Sequence, residues 1–233
     1  MNLGVGTSGF SYKEWKGKFY PEKHPANAML EYYGTKLTSV EINNTFYRMP
    51  QPSLLEGWAA KVPESFRFSL KASRRISHFK KLKDAAEETR YFVETAKVLG
   101  VRLGVILFQL PPNAKKDLDV LDSFLKEALP EGTRAAFEFR HDSWLSDDVY
   151  DRLRESGCAL CIADTDEGCT PFVSTADWGY LRLRGTTYAD DDLGDWVKRV
   201  QGAGWKDAFV FFKHEDEAAG PLMAMKFREI AGA

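Results

Sequence analysis

The feature that most constrains the fold is a short apolar run that recurs eight times, with a helical pattern after almost every copy. We predict strands at residues 3–7, 39–43, 66–71, 103–108, 134–139, 158–163, 180–184 and 208–212. Helical periodicity fills the connections at 28–36, 53–61, 84–99, 118–125, 149–153, 193–200 and 222–230. The sixth connection, 164–178, is poor in helix. This alternation predicts an α/β fold, a parallel (β/α)8 TIM-type barrel whose sixth helix is short or irregular.

An open doubly wound sheet is the alternative fold. Such a sheet would use a glycine-rich phosphate turn after its first strand, and Gly4, Gly6 and Gly9 match the spacing G-x-G-x-x-G. The match begins inside the strand, however, and residues 10–25 form an aromatic loop pattern instead of a helix. We therefore favour the barrel.

Length and charge are those of one folded domain, which we predict to cover residues 1–233. The chain is 44% hydrophobic, and its 34 acidic residues nearly cancel its 32 basic ones, giving a net charge of -2. This balance argues against coating nucleic acid by bulk charge, although it leaves room for a local basic patch. With no apolar run of about 20 residues and no secretion signal, we expect no membrane contact and a cytoplasmic location.

The three cysteines predict buried thiols more than a metal site. Cys158 and Cys161 lie three residues apart in a predicted strand, so their side chains face opposite sides of it. The odd count, with Cys169 as the third, fits a reducing compartment.

Polar side chains collect where the predicted strands end, which is the reactive face of a TIM-type barrel. Glu41 and Asn43 share one face of the second strand, and Glu138 and Arg140 share one face of the fifth. In chain order, the candidate site residues at this face are Tyr12, Glu41, Asn43, Tyr47, Lys71, Gln109, Glu138, Arg140, His141, Trp144, Asp164, Arg182, Arg184 and Lys213.

Five sequence segments, in order along nearly the whole chain, carry a family resemblance. They are residues 5–12 (VGTSGFSY) with Trp15 and 19–21 (FYP), 40–48 (VEINNTFYR) with Pro50, 68–71 (FSLK) with His78, 107–112 (LFQLPP), and 137–141 (FEFRH) with Trp144. Together they resemble the DUF72, or YecE-like, family. The resemblance implies a TIM-type barrel of about this length, and it implies no reaction, because the family's function is unknown.

The seventh strand departs from the family pattern. In the family this strand often ends Arg-x-His-Gly, whereas here it ends Arg182-Leu183-Arg184-Gly185. If the histidine has a chemical role in relatives, Arg184 cannot replace it as a base.

The two glutamates allow two interpretations. Glu41 and Glu138 could act as an acid and base pair, as in glycoside cleavage. Alternatively, each could pair with a neighbouring cation, Lys71 or Arg140, inside the barrel. Lys71 and His141 are further candidates for proton transfer, and Lys71 could also form a Schiff base.

A divalent metal is a weaker alternative, and we predict neither a metal site nor a particular cofactor. Oxygen and nitrogen ligands could come from Glu41, Glu138, His141, Asp164 and His214. No tight pair such as H-x-H or H-E-x-x-H is present, and basic residues crowd the same strand ends.

The basic residues give the clearest indication of a ligand. Arg140, Arg182, Arg184 and Lys213 lie at or near strand ends, and TIM barrels often bind phosphate with the loops after strands seven and eight. Arginine offers a fixed donor fork for phosphate or carboxylate. Rings in the same loops, including Tyr12, Tyr47 and Trp144, could stack a sugar or a base.

We therefore predict an enzyme that binds an anionic substrate, with phosphate-bearing molecules as the first candidates. Its candidate catalytic groups are Glu41, Lys71, Glu138 and His141, and hydrolysis, isomerisation and lyase chemistry all stay open. The ten other residues at this face, named above, would bind the substrate. The rival hypothesis is a non-catalytic protein that binds a nucleotide or nucleic-acid fragment at the same mouth, for which the basic stretch 74–83 is the one indication.

Overall fold

Eight parallel strands curve into a barrel in the computed structural model, which describes residues 1–213 and 217–233. The strands are β1 (Asn2–Thr7), β2 (Ser39–Ile42), β3 (Arg67–Lys71), β4 (Leu103–Gln109), β5 (Ala135–Glu138), β6 (Ala159–Thr165), β7 (Trp178–Leu183) and β8 (Asp207–Phe212). They pair in the order β1–β8–β7–β6–β5–β4–β3–β2. This order confirms the predicted TIM-type barrel.

Helices follow the strands on the outside. They are α1 (Met29–Lys36), α2 (Asn44–Tyr47), α3 (Pro52–Ala59), α4 (Ala86–Ala96), α5 (Leu118–Ser123), α6 (Asp147–Glu155), α7 (Asp190–Gly202) and α8 (Ala219–Ala231). Short turns of tighter or wider helix lie at Lys13–Trp15, Ala26–Ala28, Arg75–Phe79, Lys97–Arg102, Phe124–Ala128 and Asp142–Trp144. The predicted lack of helix after β6 is confirmed, because that connection forms a two-residue strand, Gly168–Cys169, antiparallel to β6.

The period of two along each strand separates the inside of the barrel from its outer core. Cys158 packs in the outer core between sheet and helices, whereas Cys161 belongs to the inner cluster with Leu107, Tyr180 and Phe211. Because the two side chains lie in different clusters, the prediction that they face opposite sides of the sheet is confirmed. Both are free thiols. The same alternation turns Glu41 and Lys71 inward at the carboxyl ends of β2 and β3, two residues after the buried Ser39 and Ser69.

β1 and β2 close the barrel through a seam where side-chain hydroxyls replace part of the backbone ladder. The Tyr33 hydroxyl, from α1, accepts a hydrogen bond from Thr7 N at 2.8 Å and donates to Ser39 O at 3.0 Å. A Cβ at Gly6 would lie 1.8 Å from Ser39 O, so only glycine allows this approach. Beyond the seam, Gly9 N donates to Glu41 O at 2.7 Å, which fixes the start of the β1 loop against the end of β2.

Within the part of the chain that the structure describes, we find no helix long and apolar enough to cross a membrane. The cytoplasmic location stays a prediction.

Replacing Tyr33 with Phe should lower the free energy of unfolding by about 1–3 kcal/mol, because buried Thr7 N and Ser39 O lose their shared partner. Urea unfolding followed by circular dichroism measures the change. Tyr91→Phe, at an exposed ring on α4, is the matched control and should change stability by less than about 0.5 kcal/mol. Equal stability of the two variants would contradict a structural role for the Tyr33 hydroxyl.

Candidate active site at the carboxyl end of the barrel

A single guanidinium links two carboxylates across the barrel mouth. Arg182 Nη2 donates to Glu41 Oε1 at 2.8 Å, and Arg182 Nη1 donates to Glu138 Oε2 at 2.6 Å. All three side chains are buried, with Arg182 3% exposed and Glu41 0% exposed. The glutamates do pair with a cation, as the structural alternative predicted, but the cation is Arg182 instead of Lys71 or Arg140.

Neutral donors complete the surroundings of Glu41. Ser8 Oγ and Tyr180 OH each donate to the carboxylate at 2.8 Å, and Asn43 Nδ2 donates at 3.2 Å. Burial alone would raise the pKa of Glu41, but the charge of Arg182 and these hydrogen bonds outweigh it and hold the pKa at about 2. Glu41 therefore stays ionised at neutral pH and has no proton to give as a general acid.

A short chain of hydrogen bonds runs from Glu138 to an amine at the surface of the mouth. Gln109 Nε2 donates to Glu138 Oε1 at 2.8 Å, and the amide's other end accepts from Lys71 Nζ at 2.7 Å. Lys71 Nζ also lies 4.4 Å from the centroid of the Phe46 ring. Because both Glu138 oxygens and the Gln109 amide are bonded, the position of the Lys71 amine follows from that of Arg182.

The surroundings of Lys71 make its amine easier to deprotonate than that of an ordinary lysine. Burial and the positive charges of Arg182 and Arg184 outweigh the two glutamates and lower the pKa of Lys71 to about 8. Such an amine holds a proton at pH 7 and releases it close to the physiological range.

Further basic side chains border the same opening. His78 lies edge-on to Phe46, with 4.7 Å between ring centroids, and its Nδ1 is 3.0 Å from Ser77 Oγ. Burial, with the charges of Lys71 and Arg140, lowers the pKa of His78. Arg140 is exposed at the end of β5.

Arg184 and Lys213 follow β7 and β8, and both are half-buried. The charge of Arg184 acts on Lys71, and that of Lys213 acts on Asp166. These two cations therefore extend the basic border of the mouth toward the loops that follow the last two strands.

Several predicted site residues have structural contacts instead of a free surface at the mouth. Trp144 is 2% exposed, stacks on Phe139 and donates to Ala114 O, so its ring is part of the core. His141 Nδ1 accepts from Ser143 N and caps a short helical turn. Asp164 accepts from Tyr188 OH at 2.7 Å.

The two predicted tyrosines lie on the loops around the mouth. Tyr12 is half-buried and donates from its hydroxyl to Ser8 O at 2.9 Å. Tyr47 is 68% exposed at the end of α2. Arg182, predicted as an anion ligand, lies beneath the mouth with both terminal nitrogens on carboxylates, so its position suits the placing of other groups more than direct contact with substrate.

Four residues of this site were not among the predicted ones: Ser8, Phe46, His78 and Tyr180. Tyr180 lies two residues before Arg182, and the period of two along β7 could have placed it on the same inward face. Ser8, Phe46 and His78 belong to the segments that carry the family resemblance, but they lie outside the strands, so strand periodicity does not bring them to the mouth.

Within residues 1–213 and 217–233, no group of three His, Cys, Asp or Glu side chains is placed to hold a metal ion. Glu41 and Glu138 instead surround a guanidinium. His214, a ligand candidate from the sequence, lies outside the described residues. A divalent ion stays a hypothesis.

Two cavities open at opposite ends of the barrel. The larger, about 890 Å³, lies at the amino ends of the strands, where Asn2, Arg134 and Asp207 are among its lining residues. The smaller, about 490 Å³, lies at the carboxyl ends, beside Asn43 and Tyr12. Because TIM-barrel chemistry takes place at the carboxyl end, the smaller cavity belongs with the candidate site.

Comparison with known proteins identifies the family. Residues 4–233 match the family model described as protein of unknown function DUF72, and the chain belongs to this family. It is 23% identical to the UPF0759 protein YunF of Bacillus subtilis over 214 residues, which cover 85% of this chain and 74% of YunF. A crystal structure of the Thermotoga maritima DUF72 family protein TM1631 superposes with a TM-score of 0.86 at 26% identity, over 100% of both chains. The resemblance found in the sequence is thus confirmed.

A more distant likeness concerns the fold alone. The glycoside hydrolase family 5 enzyme PbGH5A of Prevotella bryantii has a TM-score of 0.53 at 10% identity, over 99% of this chain and 96% of that enzyme. The barrel is therefore of the kind that glycoside hydrolases use, and substrate and chemistry have to be argued from the site.

Replacing Arg182 with Met should lower the free energy of unfolding at pH 7 by about 3–5 kcal/mol, because two buried carboxylates lose their shared cation. The deficit should shrink toward pH 4.5. In the wild type, Glu41 has a pKa below its unfolded value of 4.5, so its stabilisation is lost as the pH falls from 4.5 toward 2. In the variant, the burial that raises the pKa of Glu41 is no longer opposed by the charge of Arg182, so acid protonates this carboxyl more readily.

Urea unfolding at both pH values measures this difference. Arg90→Met, at an exposed arginine on α4, is the control and should change stability little at either pH. A deficit that stays the same or grows on acidification would contradict the buried pairing.

Proposed function

We propose that this protein is an enzyme that binds an anionic small molecule over the amine of Lys71. The amine exchanges a proton with the bound molecule. The observation that carries the proposal is the setting of Lys71 Nζ, bonded to Gln109 Oε1 at the barrel mouth and lying over the Phe46 ring. An ammonium has three N–H donors, and this one has a single hydrogen bond within the described residues. Its other donors are suited to an anionic ligand.

The charges around Lys71 support an anion as the ligand. Arg184 and Lys213 follow the last two strands, where TIM barrels commonly bind phosphate, and the positive charges of Lys71 and Arg140 both act on His78. An anion placed among Lys71, Arg140, Arg184 and Lys213 would relieve the repulsion between their positive charges. Electrostatic attraction would therefore favour a phosphate or carboxylate over a neutral substrate.

Within this proposal the glutamates are positioning residues. Glu41 is ionised and bonded by four donors, so it has no proton to give as the acid of a glycoside hydrolase would. Both oxygens of Glu138 are bonded to neighbouring side chains, Gln109 and Arg182. A neutral amine at Lys71 is a base of suitable strength near physiological pH. Arg182, through Glu138 and Gln109, fixes where that amine lies.

Sulfate binding should weaken by up to about tenfold between pH 7 and pH 9, because the Lys71 amine, with a pKa of about 8, loses its proton over this range. Sulfate keeps both charges throughout, and His78, whose pKa is lowered, is mostly neutral at both pH values. Isothermal titration calorimetry gives the dissociation constants. Lys71→Met should weaken binding at pH 7 by about tenfold and remove the pH dependence.

The control for this experiment is Lys198→Met, at an exposed lysine on α7. It should leave sulfate affinity and its pH dependence unchanged. Unaltered binding in Lys71→Met would contradict the proposed role of the amine.

One observation favours a second candidate function, the non-catalytic binding of a nucleotide or nucleic-acid fragment. The Arg74 guanidinium lies 6.0 Å from the Tyr47 ring centroid and 5.4 Å from that of Phe79, and these rings are 68% and 70% exposed. Exposed rings beside an arginine are a platform on which bases can stack. The rest of the basic stretch is partly neutralised, because Arg75 and Lys80 both pair with Glu88.

The second candidate predicts that Tyr47→Ser combined with Phe79→Ser weakens binding of a fluorescent single-stranded oligouridine by about 1–3 kcal/mol per stacked base. Arg74→Gln should reduce the slope of log affinity against log salt by about one. Fluorescence anisotropy at several salt concentrations measures both, with Lys198→Met again as control. Absence of oligouridine binding by the wild type at low salt would exclude this candidate and favour the enzyme.

A further inference from the structure

A cavity of about 490 Å³ lies beside the candidate active site and has no role in the proposal above. It is enclosed by the β1 loop, the end of β2, and helices α1 and α3. Its lining includes Phe10, Asn27, Asn43, Asn44, Trp58 and Lys61. Its volume lies within the range of small-molecule sites.

The cavity is joined to the active site through shared residues. Asn43 lines it and donates to Glu41 Oε1, and Gly9 lines it and donates from its backbone to Glu41 O. Tyr12 lines it and is bonded to Ser8, which itself donates to Glu41. A molecule in the cavity therefore lies one side chain away from the network that positions Lys71.

The lining chemistry suits a neutral ring that carries hydroxyl groups. Three amides, Asn27, Asn43 and Asn44, offer both donors and acceptors, which matches hydroxyls that also do both. The Phe10 and Trp58 rings meet edge to face at 6.2 Å and provide apolar surface. Among the described residues of the lining there is no carboxylate.

The one charged side chain of the lining does not make this cavity an anion site. Lys61 Nζ donates to Asn27 O at 2.8 Å, so the ammonium is held at the wall by a backbone carbonyl. The cations that would attract an anion lie instead at the mouth, around Lys71. Neutral and anionic parts of a ligand would thus be bound in adjoining compartments.

We propose that the cavity binds the sugar ring of a monosaccharide phosphate whose phosphate lies over Lys71. This assignment rests on the proposed function, because it takes the anion at the mouth as the other half of the ligand. The amides bind the hydroxyls, and the rings contact the C–H face of the sugar. Exposed Asn27 and Asn44 at the cavity wall are specificity-determining residues, since neither contacts the Glu41–Arg182 network.

Calorimetry with four probes tests the assignment: glucose 6-phosphate and ribose 5-phosphate as whole ligands, inorganic phosphate as the anion alone, and methyl glucoside as the sugar alone. At least one sugar phosphate should bind the wild type about tenfold or more tightly than inorganic phosphate. The double variant Asn27→Leu/Asn44→Leu should remove this preference and leave the affinity for inorganic phosphate unchanged. Asn2→Leu, at the opposite end of the barrel, should alter neither.

A second variant guards against loss of folding. Leu54→Trp narrows the cavity from a side chain that is 47% exposed, and it should reduce sugar phosphate binding in the same way. Equal affinity of the wild type for both sugar phosphates and for inorganic phosphate would overturn the assignment, as would a preference that survives in both variants.

Failure of the two proposals can be told apart. If inorganic phosphate binds and its affinity falls in Lys71→Met, but no sugar phosphate binds more tightly, the anion site stands and the sugar site falls. If methyl glucoside binds and the double variant abolishes this binding, but no phosphate probe binds more tightly than methyl glucoside, the anion site falls, and with it the assignment of a phosphorylated sugar.

Discussion

The bridging of Glu41 and Glu138 by Arg182 is the interaction on which the candidate site depends. Two carboxylates and one guanidinium lie almost without solvent at the mouth of a barrel whose floor is apolar, and the guanidinium pairs with both carboxylates. A buried charge without a partner costs several kcal/mol, so the three side chains can adopt only the observed arrangement or one close to it. Side chains from β2, β5 and β7 thereby meet across the carboxyl end of the barrel.

The ionisation of Glu41 and the position of Lys71 both depend on this bridge. Glu41 keeps its negative charge, Gln109 connects Glu138 to Lys71 by two hydrogen bonds, and the Lys71 amine is partly exposed beside other basic residues. Under the proposed function, two tasks that a glycoside hydrolase combines in its carboxylates are separated: the glutamates position, and a lysine exchanges the proton. A barrel shared with such hydrolases consequently says little about which reaction takes place.

Much of the fold could be predicted because strands and helices leave their own periods in the sequence. The runs at 103–108 and 208–212 are apolar on both faces, as strands between a core and a helix layer must be, and both lie within observed strands. Glu41, Lys71, Gln109, Glu138 and Arg182 were found because each lies at the inward phase of a strand end. Trp144 shows the limit, since a loop ring can turn to the core or to the mouth and no pattern distinguishes the two.

The sequence by itself determined the strand order, the family and the set of groups gathered at one end of the barrel, because these follow from local periodicity and from motifs in linear order. Only the tertiary structure decided which charge pairs with which. Arg182 lies 141 residues from Glu41 and 44 from Glu138 along the chain. Both glutamates pair with it, and not with Lys71 or Arg140, because of distances across the barrel. Coulomb energy and desolvation vary steeply over a few ångströms, and a one-dimensional sequence does not record those distances.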